Sequence, residues 1–339
     1  MDGRMLRVTT LAAEGPGSLH EALSAEGARL VVFEVGGVID LGGRTLVVRH
    51  PHLTVAGQTA PDPGITLIRG GLVVETHDVI IQHLAVRPGD DAPPGDAFGV
   101  RKGYDVVFEH CSATWAVDEN LSISGPADVD DPNETSHDVV LRHCLIAEAL
   151  SHSTHPKGEH SKGTLIHDGV RNVVIEGCVY AHNRERNPRV KGGASAIVRD
   201  SVMYNWGSAC VGIGVRGNRR MLTPAEVILE RNVAIPGPDT RNKEFVKNVD
   251  PGGRAILRDN IVPGNVQAAE RTLRCAGSRP ARRDPIDARI VATILHGDGR
   301  IIDSQKDVGG YPVRPATSRK IVVPRDRRAW LEKLSRELE

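Results

Sequence analysis

The chain has 339 residues, with 43 Lys plus Arg and 43 Asp plus Glu, so its formal net charge is zero. A neutral chain of this kind is not typical of nucleic-acid or membrane-surface binders, and we expect neither partner. No apolar stretch reaches the roughly 18–20 residues that a membrane-spanning helix needs. Five cysteines without a CxxC pair indicate neither a disulfide framework nor a zinc ribbon. Scarce aromatic residues, together with 36 Gly and 21 Pro, favour many short strands joined by turns.

The first predicted element is a short amphipathic helix at residues 17–27. Ser18 is a favourable N-cap residue, and Gly27 is a common helix terminator. The residues before this helix lack the apolar core of a signal peptide, so the sequence itself carries no visible export signal.

One short strand unit then recurs along the chain in the same register. Its clearest copies are Asp105-Val-Val-Phe-Glu-His-Cys111, Asp138-Val-Val-Leu-Arg-His-Cys144 and Asn172-Val-Val-Ile-Glu-Gly-Cys178. Fainter copies end at Gln58, Leu84, Ser201, Asn232 and Asn260, and successive ends lie 23 to 34 residues apart by subtraction. A single unit cannot bury its inward face, but stacking the units about 4.8 Å apart supplies partners above and below. We therefore predict an all-β fold, a right-handed parallel β-helix with rungs over about 30–262.

The same register predicts a column of small buried side chains along the solenoid. Cys111, Cys144 and Cys178 fall at equivalent positions and are interpreted as inert core thiols. Ser201, Asn232 and Asn260 continue that column.

The predicted β-helix needs covers at its open ends. The helix at 17–27 is well placed to cap the first rung, and residues 325–339 are expected to form a helical tail. Residues 263–320 are rich in Arg, Pro and Gly, and we expect mostly loop laid along the solenoid. The whole chain, 1–339, is interpreted as one β-helix domain with an irregular C-terminal segment at 263–339.

The first candidate site residues follow the rung that ends at Cys111. Asp118 and Glu119 are adjacent carboxylates, and such hard oxygen ligands suit Ca²⁺. Glu148 follows the next rung and is expected to come within one rung of these two acids. The alternative is a solvated acidic turn.

A polar loop at 151–163 follows the same rung as Glu148. It contributes His160 and Lys162 as candidate site residues. A zinc site is conceivable at His152, His155, His160 and His167, although no pair has the HExxH arrangement.

A basic cluster occupies the equivalent position one rung later, after Cys178. Arg184, Arg186, Arg189 and Lys191 lie within eight residues and indicate an anion site, because Arg binds carboxylates with a bidentate fork. A basic surface turn would explain this cluster if it stood alone. Carboxylates on two rungs that face cations on a third form an arrangement that burial does not require, which favours a functional site.

These segments resemble the pectate lyase superfamily, polysaccharide lyase family 1. Arg186-x-Pro188-x-x-Lys191 is similar to its RxPxxR signature with Lys in place of the second Arg, and Asp118-x-x-Leu-Ser122 resembles DGxLD with Ser in place of the second Asp. The strings at 110–119 and 183–189 resemble the DHCSVSWSxDE and SRNPR patterns of a compact branch. The resemblance covers roughly residues 5–210.

The resemblance implies a lyase that cleaves a polyuronate, with pectate or polygalacturonate as the default substrate, by Ca²⁺-assisted β-elimination. Calcium would be held by Asp118, Glu119 and Glu148. Arg186 would be the base, and Lys162 and Arg189 would stabilise negative charge. The remaining candidates, which would bind substrate, are Arg184, Lys191, His160 and Asn187. We expect a secreted monomer.

Two other functions remain open at this stage. A β-helix glycoside hydrolase needs paired, separated acids, and the sequence shows no downstream carboxylate cluster of that kind. A non-catalytic carbohydrate-binding β-helix is the second alternative.

Overall fold

The computed structural model describes residues 3–126, 131–214, 224–248, 253–312 and 315–339. In these residues short strands alternate with turns, and helices lie near the two ends. The strands are β1 (Arg4–Val8), β2 (Arg29–Phe33), β3 (Val35–Asp40), β4 (Leu46–Val48), β5 (Leu53–Ala56), β6 (Ile65–Ile68), β7 (Leu72–Val74), β8 (His77–Gln82), β9 (Leu84–Arg87), β10 (Phe98–Arg101), β11 (Tyr104–Glu109), β12 (Ser112–Thr114), β13 (Glu119–Ser124), β14 (His137–Arg142), β15 (Leu145–Ala147), β16 (Lys162–Ile166), β17 (Arg171–Glu176), β18 (Val179–Ala181), β19 (Arg189–Val190), β20 (Ser195–Arg199), β21 (Val202–Tyr204), β22 (Val211–Ile213), β23 (Ala225–Glu230), β24 (Val233–Ile235), β25 (Val246–Asn248), β26 (Gly253–Arg258) and β27 (Thr317–Ser318). The helices are α1 (Leu19–Ser24), α2 (Val266–Cys275), α3 (Pro285–His296) and α4 (Arg327–Leu338).

The strands form three sheets that the chain visits in turn, one strand per sheet and rung. Sheet 1 has ten strands in the order β1-β2-β5-β8-β11-β14-β17-β20-β23-β26. Sheet 2 has nine, β24-β21-β18-β15-β12-β9-β6-β3-β27, and sheet 3 has eight, β25-β22-β19-β16-β13-β10-β7-β4. All pairings are parallel except that of β27 with β3. The predicted right-handed parallel β-helix is confirmed.

The recurring sequence unit is the sheet 1 strand. In the copy that contains β11, Val106 and Phe108 are fully buried, whereas Val107 between them faces outward. In the parallel register Phe108 lies between Ile81 of β8 and Leu141 of β14. Each rung therefore buries its apolar side chains against the equivalent residues of the rungs above and below, which a single rung could not do.

The predicted column of small side chains is also confirmed. The backbone N–H of Cys144 donates to Cys178 Sγ at 3.4 Å, and that of Cys178 donates to Ser201 Oγ at 3.1 Å. The Ser201 N–H donates to Asn232 Oδ1 at 3.1 Å, and the Asn232 N–H donates to Asn260 Oδ1 at 3.0 Å. Each of these side chains satisfies a backbone donor at the turn that follows sheet 1, so the column stabilises the turns of successive rungs.

The helix predicted as the N-terminal cap and the predicted C-terminal helical tail are both present. Ser18 caps α1 by accepting a hydrogen bond from the Glu21 N–H, but the helix ends at Ser24, before the predicted stop. Helix α4 lies on the first strands of sheet 1, where Leu331 packs with Leu30 and Val32. None of the helices among the described residues is long and apolar enough to cross a membrane.

The prediction of mostly loop over 263–320 was wrong, because this stretch contains α2 and α3. Asp284 caps α3 and Pro285 occupies its first turn, a helix-start signal that the surrounding Arg and Pro residues obscured. The buried face of α2 consists only of Ala269 and Leu273, too few apolar residues for a clear helical period. Both helices cover sheet 2, and the Ile290 side chain of α3 is fully buried there.

Candidate active site

A groove of about 490 Å³ runs over sheet 3, where successive strands each bring polar side chains to its floor. Six of the predicted site residues line it, namely Asp118, Glu119, His160, Arg186, Arg189 and Lys191. The groove is also lined by His167 of the zinc alternative and by residues that the sequence analysis did not select, namely Lys157, Leu165, Glu185, Ala209, Gly212 and Lys247. The three predicted clusters therefore meet on one face, as the register required.

Three carboxylates form the acidic part of this groove. Asp96, Asp118 and Glu119 each offer one oxygen within 4.8 Å of the other two. Asp118 and Glu119 were predicted from their motif, whereas Asp96 was missed. It lies in a Gly- and Pro-rich loop just before β10, and the parallel pairing of β10 with β13 places it beside the predicted acids.

Asp96 is a half-buried carboxylate beside a second carboxylate, Asp118. Burial raises its pKa to about 7, and the nearby charge of Asp118 acts in the same direction. The hydroxyl of Ser122 donates to Asp96 Oδ2, and the Glu119 N–H donates to its Oδ1 at 3.0 Å. Ser122 stands where the DGxLD pattern has its second Asp, so the preceding rung supplies a carboxylate beside that position. The cluster is suited to a cation, which would relieve the crowding of its carboxylates.

The base predicted from the resemblance lies directly against this acidic cluster. The Arg186 guanidinium is ion-paired with Glu119. Burial and the charge of Arg189 together lower the pKa of Arg186 to about 10, against the opposing charges of Asp118 and Asp96. Arg186 therefore gives up its proton more readily than an exposed arginine.

A ladder of asparagines fixes the turns that carry these groups. Asn120 Nδ2 donates to Asn183 Oδ1 at 3.1 Å, and Asn183 Nδ2 donates to Asn187 Oδ1 at the same distance. Asn183 Oδ1 also accepts from the Ala149 N–H at 3.0 Å. The predicted substrate ligand Asn187 is 3% exposed and does not line the groove. Its observed contacts hold the turn that presents Arg186.

Two other predicted cations belong to an ion-pair network beside the groove. Lys162 begins β16 and is paired with Glu185, and burial lowers the pKa of Lys162 against the opposing charge of Glu185. Arg184 Nη2 lies 2.8 Å from Glu159 Oε2, and Arg184 Nη1 lies 3.4 Å from Glu185 Oε1. Of these residues only Glu185 lines the groove; Arg184 and Glu159 line a separate cavity of about 220 Å³.

The polar loop places two imidazoles on Asp118. His160 Nε2 is 2.8 Å from Asp118 Oδ1, and His155 Nε2 is 3.6 Å from the same oxygen. The two rings are nearly parallel, with centroids 3.8 Å apart and an interplanar angle of 16°. His155 Nδ1 accepts from the Lys157 N–H at 3.2 Å, so the ring proton is assigned to Nε2. The hydrogen bond of His160 therefore orients Asp118, and His155 stacks on His160.

The four histidines of the zinc alternative do not form one cluster among the described residues. His155 and His160 each offer one ligand atom within 4.8 Å of the other and of Asp118, so these three residues could hold a metal ion. His152 Nδ1 instead lies 3.2 Å from Asp303, and His167 lies beside Asp168.

Glu148, the third predicted metal ligand, is not brought into the acidic cluster. Arg289 of α3 forms a bidentate pair with its carboxylate, with Nη1–Oε1 at 2.6 Å and Nη2–Oε2 at 2.7 Å. The Trp115 Nε1–H also donates to Glu148 Oε2 at 3.0 Å. Counting residues placed Glu148 on the adjacent rung correctly, since its backbone accepts from the Trp115 N–H at 3.1 Å. Its side chain, however, lies under α3, a helix that the sequence analysis did not foresee.

The remaining predicted cations lie on the rungs that follow. Arg189 begins β19 and donates to the Gly214 carbonyl at 3.2 Å. Lys191 follows β19 and is paired with Asp168. Lys247 of β25, one rung beyond the Arg189 partner Gly212, extends the basic side of the groove. The register of β25 could have indicated Lys247, but the sequence around Lys247 lacks the repeated unit from which the register was read.

Comparisons with known proteins give one consistent result. No protein-family model matches the chain. An Aspergillus flavus protein named "Probable pectate lyase C" is 31% identical over 329 residues, covering 94% of this chain and 72% of that protein. An Aspergillus oryzae protein of the same name is 31% identical over 324 residues, covering 93% of this chain and 71% of that protein. An Aspergillus terreus protein of the same name is 34% identical, and the match covers 53% of that protein.

Solved structures share the fold at low sequence identity. A Bacillus sp. N165 pectate lyase in complex with trigalacturonate matches with a TM-score of 0.57 at 11% identity, covering 81% of this chain and 94% of that one. The major cedar pollen allergen jun a 1 matches with a TM-score of 0.55 at 15% identity, covering 80% and 88%.

The parallel β-helix is a fold that this chain shares with the solved Bacillus pectate lyase. The chain belongs to the pectate lyase family. It is thereby a carbon–oxygen lyase that acts on polysaccharides.

Proposed function

We propose that the chain cleaves pectate by β-elimination, with Ca²⁺ at the acidic cluster and Arg186 as the base. The observation that carries the proposal is the contact of the half-buried Arg186 guanidinium, whose pKa is lowered, with Glu119 of the three clustered carboxylates. The relatives are named pectate lyase C, and one solved neighbour of the same fold was crystallised with trigalacturonate.

The acidic cluster fits a calcium ion by its donor chemistry. Ca²⁺ prefers carboxylate oxygens, and Asp96, Asp118 and Glu119 supply three such groups close together. Burial and the charge of Asp118 raise the pKa of Asp96 to about 7, as expected where carboxylates crowd together, and a cation would relieve this crowding. Bound there, the ion would neutralise a substrate carboxylate and stabilise the negative charge that develops on it.

The side chains of the chain itself account for the proton transfer. A uronate carries its C5 proton α to the carboxylate, and removal of that proton expels the oxygen linked at C4. Arg186 in its neutral form accepts the C5 proton, and Glu119 orients the guanidine through their contact. Arg189 lines the same groove and stabilises the enolate-like charge on the sugar carboxylate.

The geometry disfavours the hydrolase alternative among the described residues. Inverting hydrolases keep their two carboxyl groups about 6.5–9.5 Å apart, and retaining enzymes about 5–5.5 Å apart. In this groove the acids approach within 4.8 Å and form one cluster, as a metal site requires. Non-catalytic binding of a carbohydrate remains an outcome of the assay below.

An elimination leaves an unsaturated sugar, which absorbs ultraviolet light. We expect absorbance to grow when the chain is incubated with polygalacturonate and Ca²⁺ at alkaline pH, and to stop growing on addition of a chelator. Arg186→Ala should abolish the signal, whereas Arg199→Ala, an ion-paired arginine of sheet 1, should retain it. Polymer binding without absorbance would instead indicate a carbohydrate-binding protein.

Export and a monomeric state belong to the same proposal. A long polyuronate does not enter a cell, so we expect the activity in the culture medium of the producing organism. All site residues described above come from one chain, and we expect activity in the monomer fraction of a sizing column.

A further inference from the structure

Lys162 is hidden between two carboxylates instead of facing the groove. In the parallel register it pairs with Glu119 on the preceding rung and with Glu185 on the following rung. Lys162 is only 4% exposed, whereas the Glu185 side chain is 26% exposed and lines the groove. The surface that a substrate meets at this point is therefore the carboxylate of Glu185, with the ammonium group behind it.

The ion-pair network around Glu185 is balanced in charge. Two cations, Lys162 and Arg184, share two carboxylates, Glu185 and Glu159. The two cations of this network are thus already neutralised within the protein. Of the other cations that line the groove, Arg189 lies on the same rung as Glu185, four residues further along the chain, and Lys247 lies two rungs beyond Arg189.

A free carboxylate on the substrate would be penalised at this position. To reach Lys162 it would have to displace Glu185, which would leave a half-buried carboxylate without its partner. If Glu185 stayed in place, the two negative charges would face each other across the groove, and like charges at an interface disfavour that ligand. A sugar whose carboxyl group is esterified meets neither cost.

Resting on the function proposed above, we propose that Glu185 is a specificity-determining residue that selects a sugar without a free carboxylate in contact with it. The preferred substrate is then a uronan in which part of the carboxyl groups are methyl-esterified. The free carboxylate required for elimination binds at the neighbouring position, beside Asp118 and Arg189.

The test compares two polymers and two matched variants. We measure kcat and KM on fully de-esterified polygalacturonate and on a partly methyl-esterified pectin, for the wild type, Glu185→Gln and Glu176→Gln. Glu176 is the matched control, because its side chain is 28% exposed and it also lies between two arginines, on sheet 1 away from the groove. The wild type should prefer the esterified polymer.

Glu185→Gln should shift the ratio of kcat/KM about tenfold towards the de-esterified polymer, mainly through KM, while Glu176→Gln leaves the ratio unchanged. A ratio that Glu185→Gln does not move would overturn the assignment. If the wild type forms no unsaturated product from either polymer, the proposed function fails. The role of Glu185 is then decided by calorimetry, in which Glu185→Gln should tighten binding of polygalacturonate about tenfold, and unchanged binding would overturn it.

Discussion

The guanidinium of Arg186 is ion-paired with the carboxylate of Glu119, and this contact joins the basic cluster to the acidic one. Burial, assisted by the charge of Arg189, lowers the pKa of Arg186 to about 10. Only the deprotonated guanidine can accept a proton, so its fraction grows with pH up to that value. We expect kcat/KM to rise about tenfold per pH unit below the pKa and to level off near it. A pH profile at saturating Ca²⁺ measures this rise.

A variant separates this titration from other effects of alkaline pH. Arg189→Ala removes a positive charge that lowers the pKa of Arg186, so the rising limb should move to higher pH. A plateau reached by neutral pH in the wild type, or an unmoved limb in the variant, would contradict Arg186 as the base.

Asp96 is expected to be a calcium ligand, although it lies outside the sequence motif. Asp96→Asn keeps a similar shape but removes the charge, and we expect Ca²⁺ affinity to fall at least about tenfold, or about 1.4 kcal/mol. Calorimetry with Ca²⁺ alone measures this. Glu148→Gln is the informative comparison, because Arg289 already holds that carboxylate. Equal losses in the two variants would restore Glu148 as a ligand.

The sequence was sufficient to predict the fold because the repeated unit is also the structural unit. Val106 and Phe108 are buried by the same positions of neighbouring rungs. The spacing of apolar residues in the sequence therefore also predicts how the rungs stack. The register likewise predicted which rungs would bring Asp118 and Arg186 together. These predictions depend on backbone spacing, which a repeat defines well.

The parts that the sequence did not predict depend on where side chains meet after folding. Asp96 enters the site from a loop without a motif, and only the pairing of β10 with β13 shows it. Glu148 occupies the expected rung, but its carboxylate is paired with Arg289 of α3, 141 positions later in the chain. Lys162 was predicted as a site residue from the polar loop, yet it is paired with Glu185 and does not line the groove. The spacing of residues along the sequence does not predict these side-chain contacts.

A buried charge cluster attaches α3 to the β-helix. Arg87 of β9 is fully buried, and its Nη2 lies 2.7 Å from Asp284 Oδ2 and 2.8 Å from Asp287 Oδ1. Arg87→Met leaves two buried carboxylates without their cation, and we expect it to lower the free energy of unfolding by about 3–5 kcal/mol. Denaturation in urea measures the change.

The control for this prediction is an exposed pair on sheet 1. Arg231 lies 2.8 Å from Asp200, and the two side chains are 46% and 42% exposed. Arg231→Met should cost at most about 1 kcal/mol, because solvent screens such pairs. Similar losses in the two variants would show that burial of Arg87 is not what stabilises α3.

A stacked pair of histidines under α4 should make the fold sensitive to acid. His83 and His110 stack with centroids 4.9 Å apart, and burial lowers the pKa of each to about 4. The unfolded chain takes up these protons near pH 6.5, before the folded chain does. Stability should therefore fall as the pH decreases from about 6.5 to 4, by up to about 3 kcal/mol per histidine.

Urea denaturation at neutral and acidic pH checks this sign. His83→Gln should show a smaller loss of stability on acidification than the wild type, while His20→Gln, at an exposed position of α1, should behave like the wild type. An equal loss in His83→Gln and the wild type would exclude this histidine as a source of the acid sensitivity.

The central claim is that the groove cleaves a polyuronate by elimination, and the masses of the products test it most directly. An oligogalacturonate of defined length is digested in the presence of Ca²⁺, and the fragments are weighed by mass spectrometry. Elimination predicts that the fragment masses add up to that of the substrate, with one fragment of each pair lighter by one water than the saturated sugar. Fragment pairs whose masses add up to that of the substrate plus one water would show hydrolysis, and an intact substrate would show binding alone; either result would contradict the account.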